Sequence, residues 1–125
     1  MRFARLTFLI AGVYGLVALV PLYFLEQRIG VAYPPPITHP EYYYGFTGVA
    51  VAWQFAFIVM SRNPVRYRPL MLVGIVEKAA FFIPVMLLYS QQRVSSSMMI
   101  GALIDGLLGV LFAISYLRTA KDPRW

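Results

Sequence analysis

Residues 69–89 read PLMLVGIVEKAAFFIPVMLLY, and Glu77 and Lys78 are the only charged positions in the run. A stretch of about 20 apolar residues, wound as a helix, matches the hydrocarbon core of a bilayer. Backbone groups inside lipid must be satisfied within the segment, so an unbroken run of this kind is a helix and not a lone strand. An ionisable side chain at mid-depth costs about 2.5–3.5 kcal/mol on insertion scales, so Glu77 and Lys78 are expected to face other helices. Pro84 removes one backbone donor late in the run and is expected to bend it.

Three more runs of similar length lie outward from this one, at about residues 4–25, 42–60 and 98–117. The chain of 125 residues is 60% hydrophobic and 13% charged, roughly half the charged share, about 25%, usual in soluble domains. The expected fold is therefore all-α: a single four-span transmembrane helix bundle. The first run follows Arg2 and Arg5 as a signal peptide would. It is about twice the usual apolar length, though, and leads into Glu26-Gln27-Arg28 with no small-x-small cleavage pattern, so it is read as a retained helix.

Charge placement sets an expected orientation. Arg2, Arg5, Arg62, Arg66, Arg68, Arg118, Lys121 and Arg124 all fall on one side of a four-span topology, with Arg28 and Arg93 on the other. The positive-inside rule then puts both termini in the cytoplasm. The formal charge of +6 is thus a topology signal, with some attraction to anionic lipid, and not a nucleic-acid footprint. Tyr23, Phe24, Tyr33, Tyr42, Tyr43, Tyr44 and Tyr89 form an expected outer aromatic belt; Tyr67, Tyr116 and Trp125 form the inner one.

The absence of cysteine excludes thiolate metal sites and disulfides, and a single histidine, His39, excludes a multi-histidine site. No catalytic residue and no metal ligand is assigned. The outer loop EQRIGVAYPPPITHPE, residues 26–41, is expected to be extended, with polyproline II character at Pro34–Pro36.

Two sets of candidate residues follow from helical spacing. Small residues spaced by four, Gly48, Ala52 and Ala56 in span two and Gly101, Gly109 and Ala113 in span four, are expected at close helix–helix approaches. The polar set is Tyr14, Gln54, Glu77, Lys78 and Asp105. Counted from the basic end at about 1.5 Å per residue, Gln54 lies about 9 Å deep, Glu77 about 12 Å, Lys78 about 14 Å, Tyr14 about 15 Å and Asp105 about 18 Å. All five are expected in adjoining layers of the bundle, with Lys78 paired to Asp105. Glu77 points about 100° away from Lys78 on the helix, so it is expected to meet Gln54, Tyr14 or water instead. The cluster serves either as a structural ion pair or as a ligand or proton site.

Gly45-Phe46-Thr47-Gly48, opening span two, and the arginine-rich turn after it resemble the DoxX-like group of small bacterial four-helix membrane proteins. The likeness covers the hydropathy layout of nearly the whole chain. It implies the four-helix membrane fold; members of that group include a subunit associated with thiosulfate:quinone oxidoreductase. Small multidrug transporters share the length but use a glutamate in span one, where this chain has no acid between Leu6 and Leu25. Sterol-isomerase-like proteins place buried acids near tryptophan, echoed by residue type in Trp53, Glu77 and Asp105.

Two functions are expected from these readings. The first is a non-catalytic accessory or assembly subunit of a larger respiratory or photosynthetic membrane complex, or a homo-oligomer. Phe46, Trp53, Phe55, Phe57, Phe81 and Phe82 would then belong to its lipid-facing contact surface. The second is a quinone-, lipid- or small-molecule-binding protein, or a proton-coupled transporter, with an intramembrane acidic site.

Overall fold

The computed structural model describes residues 2–124. Five α-helices account for most of them: α1 (Arg2–Leu19), α2 (Glu26–Ala32), α3 (Pro40–Arg62), α4 (Arg68–Ser90) and α5 (Ser96–Arg118). A 3-10 turn, Val20–Phe24, prolongs α1. With that turn, α1 spans 23 residues, as do α3, α4 and α5, and all four are apolar enough to cross a membrane. At 1.5 Å per residue such helices reach about 34 Å, enough for a core of about 30 Å. The chain is built as a multi-pass membrane protein. Trp125, placed above in the inner belt, lies outside the described residues.

Consecutive long helices run antiparallel, so the N-termini of α1 and α4 and the C-termini of α3 and α5 share one end. Contacts across that end confirm the grouping: Arg118 sits over the Phe3 ring at 4.8 Å, and Arg68 reaches the carbonyl of Thr119. Around the bundle α1 packs on α3 and α5, and α4 packs most extensively on α5. The seam between α3 and α4 is the thinnest of the four sides.

Close packing concentrates in the basic half. Phe8, Phe57 and Phe112, one from each of α1, α3 and α5, are fully buried. Phe8 stacks on Phe112 with centroids 4.2 Å apart, and Phe57 meets Phe112 edge-on at 5.0 Å. α4 adds no ring here: Gly74 leaves room for both, and a β-carbon on it would lie 3.2 Å from Phe57 and 3.3 Å from Phe112. In lipid, helices gain little from hydrophobic burial against one another, so contacts of this kind carry the association. The buried hydroxyls of Thr47 and Ser115 are satisfied within their own helices, donating to the carbonyls of Tyr43 and Leu111, whereas that of Thr119 has no hydrogen-bond partner. Outward faces carry exposed Ile10, Val17, Val49, Val76, Ile100 and Leu107, the surface a hydrocarbon would cover.

Several sequence expectations are corrected. The outer loop is not wholly extended: its first half forms α2, and Pro34 and Pro35 fall in bends, not in a continuous polyproline run. The small-residue stripe of α3 is displaced, since Ala52 is exposed and Gly48 meets only the Tyr23 hydroxyl at 3.4 Å. The close approach to α1 instead falls at Gly12 and Gly15, against Ile58 and Gln54. On α5, a β-carbon at Gly101 would meet nothing within 4 Å, whereas Gly109 packs on Lys78 Cβ at 3.3 Å. Ala113 lines a shallow groove between α4 and α5. Phe57, expected on the lipid-facing surface, is fully buried.

Candidate functional site

Directly beyond the phenylalanine core the four long helices part around a cavity of about 150 Å³. Tyr14 and Gly15 of α1, Gln54 of α3, Glu77 and Lys78 of α4, and Asp105 of α5 all line it. The five polar residues singled out by depth therefore meet in one place.

Lys78 is the hub. Its side chain is buried, and the ammonium lies 5.2 Å from the centre of the Phe57 ring, so it rests on the aromatic core. Nζ donates to Asp105 Oδ1 at 3.4 Å, joining α4 to α5 as expected. It also lies 3.4 Å from Glu77 Oε2. Here the sequence reading needs correction: Glu77 turns back to its own chain neighbour. Adjacent helical positions diverge by about 100°, but two long side chains bridge that angle at their tips.

The polar set is incompletely satisfied. Gln54 is 1% exposed, and its Nε2 donates to the Ala50 carbonyl at 2.8 Å. Its Oε1 is buried with no hydrogen-bond partner. Glu77 Oε2, though close to Lys78, is in no hydrogen-bonding geometry either. A buried acceptor left unpaired costs about 1–3 kcal/mol, and most such groups in folded proteins find partners. Both orphan atoms here are oxygens that accept. The cavity is short of donors.

Gln54 reaches this position because Gly15 has no side chain: a β-carbon there would fall on the Gln54 amide. Above the polar floor the walls are apolar, with Ala18, Leu19, Ala50, Phe46 and Phe81. Phe46 and Phe81 stack across the α3–α4 seam at 6.4 Å. On the outer side of that seam runs a second groove of about 530 Å³, and Phe46, Ala50, Glu77 and Phe81 line it too. Only side chains separate the cavity from the lipid-facing surface there.

Sequence reasoning missed what the basic end does. Arg68 Nε donates to the carbonyls of Tyr116 at 3.1 Å and Thr119 at 2.9 Å, while its guanidinium covers the Tyr116 ring at 3.8 Å. It closes the C-terminus of α5, where the helix dipole favours a cation. Asp122 takes hydrogen bonds from the Arg124 side chain and backbone, which hold its carboxyl down to about 2. At the opposite end Tyr43 donates to the Leu22 carbonyl at 2.6 Å and Tyr44 to Glu26 at 2.9 Å. These tyrosines tie α3 to the outer turns as well as marking a belt. His39 bonds Glu41 at 3.2 Å, and no cluster of metal-binding side chains occurs among the described residues.

No protein-family model matches the chain, and no curated protein and no solved structure shows significant similarity to it.

Proposed function

We propose that this protein binds a small amphipathic molecule within the membrane, in the cavity floored by Gln54, Glu77, Lys78 and Asp105. Of the two expectations raised by the sequence, the geometry favours this one over an accessory subunit without a ligand. The observation that carries it is the buried Gln54 Oε1, which has no partner, next to Glu77 Oε2, held only by its ion pair with Lys78, beside an open volume of about 150 Å³. A purely structural ion pair is stabilised by closing around its charges, since breaking or exposing buried polar groups in apolar surroundings is costly. This cluster instead leaves space and unused acceptors on the same side. The shared basic end supports an orientation with both termini in the cytoplasm of a bacterium, the cavity opening toward the outer half of the membrane.

Extraction in mild detergent followed by native mass spectrometry tests the reading. A chain that retains a small organic adduct, and loses it in Glu77→Gln while still accumulating, is the expected result. A second reading, the accessory subunit, is favoured by the groove of about 490 Å³ on the outer α4–α5 face, lined by Gly106, Gly109 and Ala113. Small residues there would admit a partner helix closely. Recovery in fixed stoichiometry with larger subunits, and without an adduct, would favour that role.

A further inference from the structure

We infer that the cavity's ligand is an organic monocation, a protonated amine on an apolar body, and that it enters sideways from the lipid between α3 and α4. The inference rests on the small-molecule reading above and specifies its chemistry.

Charge is the first argument. Two carboxylates, Glu77 and Asp105, share one ammonium, Lys78 Nζ, at 3.4 Å each. With all three ionised, the trio carries one negative charge in excess, inside apolar walls where charge is poorly screened. Among the described residues, no second cationic side chain lines the cavity. The second argument is hydrogen bonding. Both orphan atoms are acceptors, so an occupant must bring donors. An ammonium has three and accepts nothing; a carboxylate or phosphate has none to give. The nine-tenths-buried Gln54, whose free oxygen is independent of the acids, makes the same demand.

Shape and access complete the case. About 150 Å³ accommodates a benzene-sized group. Phe46 and Phe81 line the cavity, and an aromatic ring both attracts a cation to its face and accepts an apolar body. Because these two rings and Glu77 line both the cavity and the outer α3–α4 groove, rotation of the rings connects the two. A molecule dissolved in the bilayer therefore reaches the acids without crossing the packed phenylalanine core.

Benzylammonium, benzyl alcohol and benzoate share one ring and differ in charge and donors. Each is titrated against the full chain in lipid nanodiscs, with empty nanodiscs as the blank, and saturable binding is read by ligand-observed NMR. Benzylammonium is expected to bind once per chain and at least about tenfold tighter than benzyl alcohol, the worth of one charge-assisted hydrogen bond; benzoate is not expected to bind. Glu77→Gln and Asp105→Asn should each weaken benzylammonium by about tenfold or more. Gly101→Leu blocks the cavity without touching the acids, because a side chain at that position enters open space. It should accumulate normally and abolish binding. Equal affinity for benzyl alcohol and benzylammonium, or preference for benzoate, would overturn the monocation while leaving a binding cavity in place. Failure of all three probes to saturate the parent chain, or undiminished binding in Gly101→Leu, would overturn the cavity reading itself.

Discussion

The Gln54 amide occupies the space that a β-carbon on Gly15 would need. A glycine on α1 thereby lets a polar side chain of α3 reach the bundle interior beside the acids of α4 and α5. Gly15→Ala should expel the amide or push the helices apart, lowering stability by about 1–3 kcal/mol, the usual cost of overpacking. Gly45→Ala, at a position with open space around it, should be near neutral. Thermal unfolding of both variants in one detergent is the check.

Lys78→Met leaves Glu77 and Asp105, both half-buried, without their shared cation. Removing one partner of a buried charge cluster costs about 3–5 kcal/mol, so accumulation in the membrane should fall sharply. Combining Lys78→Met with Glu77→Gln and Asp105→Asn should restore much of the loss. If the single variant accumulates normally, Lys78 is not the hub of the cluster.

Arg68→Ala should cost about 2–3 kcal/mol, since it removes charged donors from two α5 carbonyls and the cation from the face of Tyr116. Arg68→Lys should recover only part, because an ammonium cannot reproduce the planar stacking. Hydrogen exchange at the end of α5 would localise the effect.

α4 ends in a turn whose Gln92 has a φ of 58°, with Gln92 and Arg93 amides donating to the Tyr89 and Leu88 carbonyls. This is the geometry in which glycine is preferred at helix C-termini. Gln92→Gly should raise stability by about 0.5–1 kcal/mol and Gln92→Val should lower it, both read by thermal unfolding.

Asp122 titrates near 2 in the folded chain against an ordinary 3.8 because Arg124 holds it ionised. A carboxyl lowered on folding stabilises the fold above its ordinary value and loses that contribution as pH falls toward the folded value. Stability measured from pH 5 down to pH 2 should therefore drop more in the parent than in Asp122→Asn. Parallel curves would exclude this contact.

The four spans and the meeting of Tyr14, Gln54, Glu77, Lys78 and Asp105 were legible in the sequence. Antiparallel helices of equal length place equal depths at equal levels, so counting along each run suffices. Depth does not say which side chain fills which gap. The Gly48, Ala52, Ala56 spacing is a valid helical stripe, but nothing in it tells that Ala52 faces outward while Gly12 and Gly15 carry the contact. Likewise Glu77 meets Lys78 through side-chain length, which backbone angles alone do not reveal. α2 is short and lacks a clear apolar period, and Arg68 looks like any arginine of a headgroup loop until the end of α5 is placed beside it.

Cysteine labelling in intact membranes tests the central arrangement most directly, because the chain has no cysteine of its own. Gly101→Cys places a thiol in the cavity, and Ile100→Cys places one on the neighbouring exposed face. A thiol reacts as its thiolate, which needs water or polar surroundings. The account predicts that a small water-soluble methanethiosulfonate modifies the thiol at position 101 and leaves that at position 100 intact. Modification at 100 with none at 101 would put the polar cluster on the wrong side of the helices and contradict it.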